Sequence, residues 1–318
     1  MTCKLRRALY GLKQSGRLWY QTLRAHMEEQ GYHCLDMDQC VFIKHNGSKW
    51  VIVIAYVDDV LCFSNNQEMK DEFITQLAKS FSITNKGKLQ YYLGINVQAY
   101  GHTCTMDQKK YIQELLDEFV VDTVQVTTPI AANPSSDDTK LSDGEATQLK
   151  RMVGCLVYVS TMTRPDITHA VSMASRQLHN PRVMDRVAAM RIYRYLKWSL
   201  DYKLTNSSPD SQIVLHTDSD FAGCSDTARS QTGLALLMFG ALVSWRSVRQ
   251  HLVALSTSEA EFMAMCDGTK ELIFITQLIE ELGIPALAQE GPTYAESTAR
   301  TSDEPNDGAI TAKDMAAL

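Results

Sequence analysis

The chain has 318 residues, 45% hydrophobic and 21% charged, which leaves room for about two ordinary domains and excludes a disordered or low-complexity polypeptide. The formal net charge of −6 argues mildly against a whole-protein attraction to nucleic acid. The start of the chain is nevertheless locally basic, with Lys4, Arg6, Arg7, Lys13, Arg17, Arg24, Lys44 and Lys49 against Glu28, Glu29, Asp36 and Asp38; this reads either as local phosphate contact or as a solvated face. The eight cysteines form no CxxC pair, and no signal peptide or bilayer-length apolar run is visible. The expectation is therefore reduced thiols in an intracellular chain, not secreted and not membrane-bound.

Ser15 to Gln30 is predicted as a helix, because Trp19, Leu23 and Met27 recur on one stripe, with Ser15 as cap and Gly31 as stop. A strand over Val41–His45 turns at Asn46-Gly47, a hairpin signal, and returns from Trp50 into VIVIAYVDDVLCFS, Val51 to Ser64. A second helix over Gln67–Phe81 carries Met69, Phe73, Leu77 and Phe81 on one side, and a hairpin over Tyr91–Met106 turns near Tyr100-Gly101. Asp107–Phe119 is amphipathic, Thr127–Glu145 reads as a linker, and Ser142 with Glu145 forms a capping box. Pro165 interrupts before a stripe of Ile167, Ala170, Val171 and Ala174. A helix over Arg182–Trp198 then shows a basic side of Arg186, Arg191, Arg194 and Lys197. Strands over Gln212–Thr217, Gly233–Phe239 and Leu242–Trp245 precede a long helix, Ser258–Leu282, with an expected core stripe of Phe262, Met265, Leu272, Ile275, Ile279 and Leu282. Helices on an antiparallel sheet make the expected class α+β.

Asp58 and Asp59 lie between two β-branched apolar runs. Adjacent like charges repel, and a divalent cation with hard oxygen ligands relieves that cost. The alternative is a solvated acidic hairpin tip. Asp218 ends one strand and Glu261 begins the long helix; a carboxylate three residues after Ser258 is also what helix capping favours.

Several motifs lie in collinear order: LRRALYGLKQSGRLWYQTL (Leu5–Leu23), Tyr-Val-Asp-Asp (Tyr56–Asp59), YYLGINV (Tyr91–Val97), TRPDITHAVSMASR (Thr163–Arg176), RIYRYLK (Arg191–Lys197) and STSEAEF (Ser256–Phe262). Together they resemble the polyprotein of a copia-type LTR retrotransposon, from mid reverse transcriptase into ribonuclease H, truncated at both ends. The resemblance implies a partial palm over 1–106, a helical thumb or connection region over 107–204, the front half of an incomplete ribonuclease H-like α/β domain over 205–283, and a divergent, mobile tail over 284–318. It implies Mg²⁺ or Mn²⁺ held by Asp58 and Asp59 for nucleotidyl transfer, and by Asp218 and Glu261 for hydrolysis of hybrid RNA. Lys13, Gln14, Arg17, Tyr56, Arg191 and Arg194 would contact nucleic acid. The implied partners are an RNA template, a DNA primer, an RNA–DNA hybrid, dNTPs and the rest of the Pol polyprotein, in a cytoplasmic particle or the nucleus.

Departures from the family pattern temper the activity expected. Ser15-Gly16 replaces Ala-Pro, no upstream strand offers a partner aspartate, and neither Asn306–Ile310 nor Glu296 restores the third ribonuclease H ligand. Weak or absent catalysis by this chain alone is expected, and the second reading is an inactive remnant that at most binds nucleic acid.

Overall fold

A computed structural model of the chain describes residues 8, 9, 11–101, 103–206 and 212–284, and the backbone of 293–296. The segment 306–310, the side chain of Glu296 and most of 284–318 lie outside the described residues. The protein is α+β, and it divides into two compact units, Met1–Gly87 with Phe274–Ala288, and Lys88–Ile273 with Gln289–Leu318.

In the first unit, α1 (Ser15–Glu29) is followed by β1 (His33–Cys34), β2 (Val41–Asn46), β3 (Lys49–Tyr56), β4 (Asp59–Ser64) and α2 (Gln67–Ser80). The strands form an antiparallel sheet in the order β1-β2-β3-β4. The period-2 alternation of β3 sends Val51, Val53 and Ala55 toward Leu23 and Met27 of α1 and Met69, Phe73 and Leu77 of α2. Each of these apolar side chains other than Ala55 stabilises the unit by roughly 1.5–3 kcal/mol on burial. Ile52 and Ile54 face the other way and pack with Leu35, Val41 and Ile43, beside Leu278 and Leu282. Asn66 caps α2 by accepting the Met69 amide at 3.0 Å. Two local expectations change. Ser15 is the first helical residue, and its hydroxyl donates to the Leu9 carbonyl at 2.5 Å instead of capping. The β2–β3 turn is Gly47-Ser48, with only Gly47 at positive φ.

The second unit opens with a meander in place of the expected single hairpin: β5 (Tyr91–Tyr92), β6 (Ile95–Tyr100) and β7 (Thr103–Asp107). The extra turn is Leu93-Gly94, both at positive φ, and the Tyr158 hydroxyl donates to the Leu93 carbonyl. Then follow α3 (Lys109–Glu118), α4 (Asp143–Met162), a 3-10 turn (Pro165–Ile167), α5 (Thr168–Ser175) and α6 (Val183–Trp198). These helices share one core built on Leu116, Leu149, Leu156, Ile167, Ile192 and Tyr193. The Ser142–Glu145 capping box opens α4 as expected. The strands β8 (Leu204–Asn206), β9 (Ile213–Ser219), β10 (Gln231–Met238), β11 (Ala241–Arg249) and β12 (Thr293–Glu296), with the helix α7 (Thr257–Leu282), complete the chain. β8 joins the meander, and the second sheet runs β11-β10-β9-β12, with β12 parallel to β9.

On α7 the contact stripe is Ala260, Ala264, Gly268 and Leu272. A Cβ on Gly268 would stand 2.6 Å from Thr217 Cγ2, so the small residues let the helix lie close on β9. The expected core residues Phe262 and Met265 consequently lie off that stripe and are 65% and 37% exposed, whereas Leu272 and Ile279 are buried as expected.

Candidate functional site

The hairpin β3–β4 closes at the pair Tyr56↔Asp59, which leaves Val57 and Asp58 as the two turn residues. Tyr56, Val57, Asp58 and Asp59 are all exposed. Val57 has φ +53, at a position of a two-residue turn where glycine is the favoured choice. A β-branched residue held there costs on the order of 1–3 kcal/mol. The Trp19 indole N–H of α1 donates to the Val57 carbonyl at 2.8 Å. The Trp19 ring is itself set edge-on to Phe81, with centroids 5.3 Å apart. Lys13, Gln14 and Arg17 are exposed at the start of the same helix, with Gln14 in the N-cap position. The acidic pair therefore lies at the tip of a hairpin tied to the helix that presents these donors. Among the described residues, the outer edge of β4 has no partner strand.

In the second unit, Asp218 on β9 is paired in register with Gly233 on β10. The Ser219 amide donates to Asp218 Oδ1 at 2.9 Å and more weakly to Glu261 Oε1 of α7 at 3.4 Å. Two carboxylates thus converge on one amide. Burial, and then the Asp218 charge, push the Glu261 carboxyl above the usual range. A cavity of about 250 Å³ adjoins Asp218 and is lined by His169, His216, Gln231 and Ser247. Burial lowers the pKa of both histidines, and the nearby Arg176 charge adds to the effect at His169. Asp220 is a structural residue: its Oδ1 accepts the Gln231 amide at 2.7 Å, which fixes the start of β10. Among the described residues, no group of three or more His, Cys, Asp or Glu side chains is arranged to hold a metal ion. Each pair offers carboxylate oxygens, the donor type that Mg²⁺ takes, without making a complete ligand set by itself.

The basic side of α6 is engaged within its own unit. Arg191 donates to the carbonyl and hydroxyl of Thr128 at 3.1 and 3.0 Å. Arg194 grips Asp122 through two bonds of 2.8 and 2.5 Å, and that contact holds the Asp122 carboxyl below its ordinary range. Lys197 donates to the carbonyls of Val121 and Asp122 at 2.8 and 3.0 Å, and Arg186 pairs with Glu145 at 2.8 Å. The face that resembles a nucleic-acid contact in sequence clamps the stretch around Val121–Thr128.

A family model described as reverse transcriptase (RNA-dependent DNA polymerase) matches residues 1–132. The retrovirus-related Pol polyprotein from transposon TNT 1-94 of Nicotiana tabacum is 33% identical over 296 residues, which cover 89% of this chain and 22% of that protein. The chain belongs to the copia-type retrotransposon Pol polyproteins. The Pol polyprotein from transposon RE1 of Arabidopsis thaliana is also 33% identical, over 287 residues covering 89% of this chain and 19% of that protein. An uncharacterized mitochondrial protein of Arabidopsis thaliana is 29% identical over 222 residues, 69% of this chain and 92% of its own length. The copia-type chain spans about a fifth of the length of the curated Pol polyproteins it matches. Among its described residues, no helix is long and apolar enough to cross a membrane. Its reverse-transcriptase match contains the acidic turn, α1 and the β2–β4 meander.

Sequence reasoning assigned Trp19 to the apolar stripe of α1 and missed its bond to the turn. The available signal was an indole on a helix preceding a motif whose turn residue is β-branched.

Proposed function

We propose that this chain is a reverse transcriptase and ribonuclease H segment of a retrotransposon polyprotein, in which Asp58 and Asp59 hold Mg²⁺ or Mn²⁺ for nucleotidyl transfer. The observation that supports this reading is the exposed acidic turn, held in a strained conformation within the matched region. A bound divalent ion supplies charge neutralisation at the triphosphate and acidifies the primer 3′-hydroxyl. Lys13 and Arg17 contact phosphates, Gln14 lies toward template and incoming nucleotide, and the exposed Tyr56 ring meets the nucleic acid beside the carboxylates. Arg191 and Arg194 join such contacts only by leaving Thr128 and Asp122.

Asp218 and Glu261 form the corresponding half-site for cleavage of the RNA strand of a hybrid. The palm segment is assigned to 1–106, the thumb or connection segment to 107–204 and the ribonuclease H-like segment to 205–283. The substrates are an RNA template, a DNA primer, dNTPs and the RNA–DNA hybrid, within a polyprotein in a cytoplasmic particle or the nucleus.

Nucleotidyl transfer by two ions about 4 Å apart requires carboxylates from separate strands. No group of three ligands is present among the described residues, which favours a second reading: a chain that by itself binds nucleic acid without catalysis. Primer extension on poly(rA) with Mg²⁺ or Mn²⁺ separates the two. Extension lost in Asp58→Asn with Asp59→Asn supports the catalytic reading. Folded protein that extends nothing, yet binds nucleic acid equally well with and without that double change, sinks it for this chain.

A further inference from the structure

We propose that Trp19 is a positioning residue for the acidic turn, its indole N–H holding the Val57 carbonyl so that Asp58 and Asp59 keep one backbone conformation. The consequence for metal binding rests on the reading of that turn as a carboxylate site; the latch itself does not.

Val57 leaves positive φ only if the peptide groups on either side of it turn over, a flip of the hairpin end. The flip would redirect the Val57 carbonyl and, with it, the backbone that carries Asp58. Val57 sits at φ +53, where its Cβ branching opposes the conformation, so the turn sequence does not favour this form by itself. The Trp19 N–H, 2.8 Å from the Val57 carbonyl oxygen, is lost on flipping. The indole has little freedom to follow, because its ring edge is set against Phe81 at 5.3 Å and Phe81 in turn meets His26 at 5.2 Å. Leu23 and Met27, one and two turns further along α1, are buried in the core beneath the sheet. The helix is therefore a fixed mount. Arg17 lies in its exposed first turn, Gln14 is its N-cap and Lys13 directly precedes it, so one hydrogen bond sets the acidic turn relative to the donors proposed to meet phosphate. Strain at the turn and a donor aimed at it make one device, in which either half without the other loses its effect.

The test uses the full chain with Trp19→Phe, Val57→Gly and the two combined. Trp19→Phe keeps an aromatic edge for Phe81 and removes only the donor. Val57→Gly removes the resistance to positive φ. Amide hydrogen exchange at Tyr56 to Val60 is the readout, with the thermal midpoint followed in parallel. In Trp19→Phe, exchange at the hairpin end is expected to rise about tenfold, the scale of one lost hydrogen bond to a carbonyl, with the midpoint nearly unchanged. In the Val57→Gly background the same change is expected to have less than about a twofold effect, since the turn no longer needs the latch. Unaltered exchange in Trp19→Phe, an equal rise in both backgrounds, or loss of the whole fold would each overturn the proposal; the last two would make Trp19 a packing residue. Mn²⁺ binding, compared between wild type and Asp58→Asn with Asp59→Asn, is measured separately. Its failure would remove the metal reading and leave the exchange result to judge the latch.

Discussion

Arg164 offers the most demanding test of the energetics. It is 1% exposed, and its partner Asp166 is 7% exposed. Its Nε and Nη2 reach Asp166 at 2.9 and 2.7 Å, and its Nη1 reaches the Ser199 carbonyl at 3.0 Å. The guanidinium also lies over the rings of Tyr195 and Tyr202, at 5.6 and 5.4 Å from their centroids. The group ties the 3-10 turn after α4 to the end of α6. Arg164→Met removes the cation and strands a buried carboxylate, which costs about 3–5 kcal/mol. For a unit of this size each kcal/mol lowers the thermal midpoint by about 2–4 °C, so a fall of roughly 6–20 °C is expected. Arg164→Lys keeps the charge but loses the fork and the stacking, and should fall between wild type and Arg164→Met. Pairing Arg164→Met with Asp166→Leu should recover most of the loss, because no charge is then left without a partner. Urea unfolding at unchanged m-value is the assay. A cost below about 1 kcal/mol for Arg164→Met, or no recovery in the double variant, would refute the view that burial of an unpaired charge dominates here.

Further expectations concern the two carboxylate pairs and their surroundings. The raised Glu261 pKa means that its ionised form is disfavoured in the fold, a loss of stability present above the folded pKa and removed as pH falls through it toward the unfolded value. Glu261→Gln should therefore raise the thermal midpoint at about pH 7 and leave it unchanged near about pH 3, measured without divalent cations. Gly94→Ala should destabilise by about 1–3 kcal/mol in chemical denaturation, since φ is +80 and the new Cβ would meet the Tyr158 hydroxyl at 2.9 Å. Arg17→Ala should reduce the salt slope of nucleic-acid binding by about one. Arg194→Ala should leave that slope unaltered and cost about 1 kcal/mol or less, because its pair with Asp122 is partly exposed; equal slopes for both variants would contradict the internal clamp on α6.

The legible parts of the fold were those where one pattern has one solution. Met69, Phe73 and Leu77 can share only a helical stripe, and Val51, Val53 and Ala55 only one face of a strand, so α2 and β3 follow from spacing alone. The stripe on α7 was misread because hydrophobicity points to Phe262 and Met265, whereas close approach to β9 selects Ala264 and Gly268. A basic helix face does not announce whether its partners are phosphates or chain. Asp122 and the carbonyls that occupy Arg194 and Lys197 become visible only once the fold brings them there. The acidic pair at Asp58 and Asp59 was plain in the sequence. The positive φ of Val57 and the Trp19 donor that accompanies it were not, since both are properties of a packed hairpin and run against local preference.

The open edge of β4 has a consequence for how the chain behaves in bulk. Between Asp59 and Ser64 the strand reads Val-Leu-Cys-Phe, with no lysine or proline, and among the described residues no strand covers its outer side. Natural sheets guard such edges with charge, proline or a bulge. Beyond Asp59 that guard is missing, so the stretch from Val60 to Phe63 is open to a second copy's ladder. Sedimentation at rising protein concentration should therefore show edge-to-edge pairing, and arginine or lysine placed at Leu61 or Phe63 should move its onset upward.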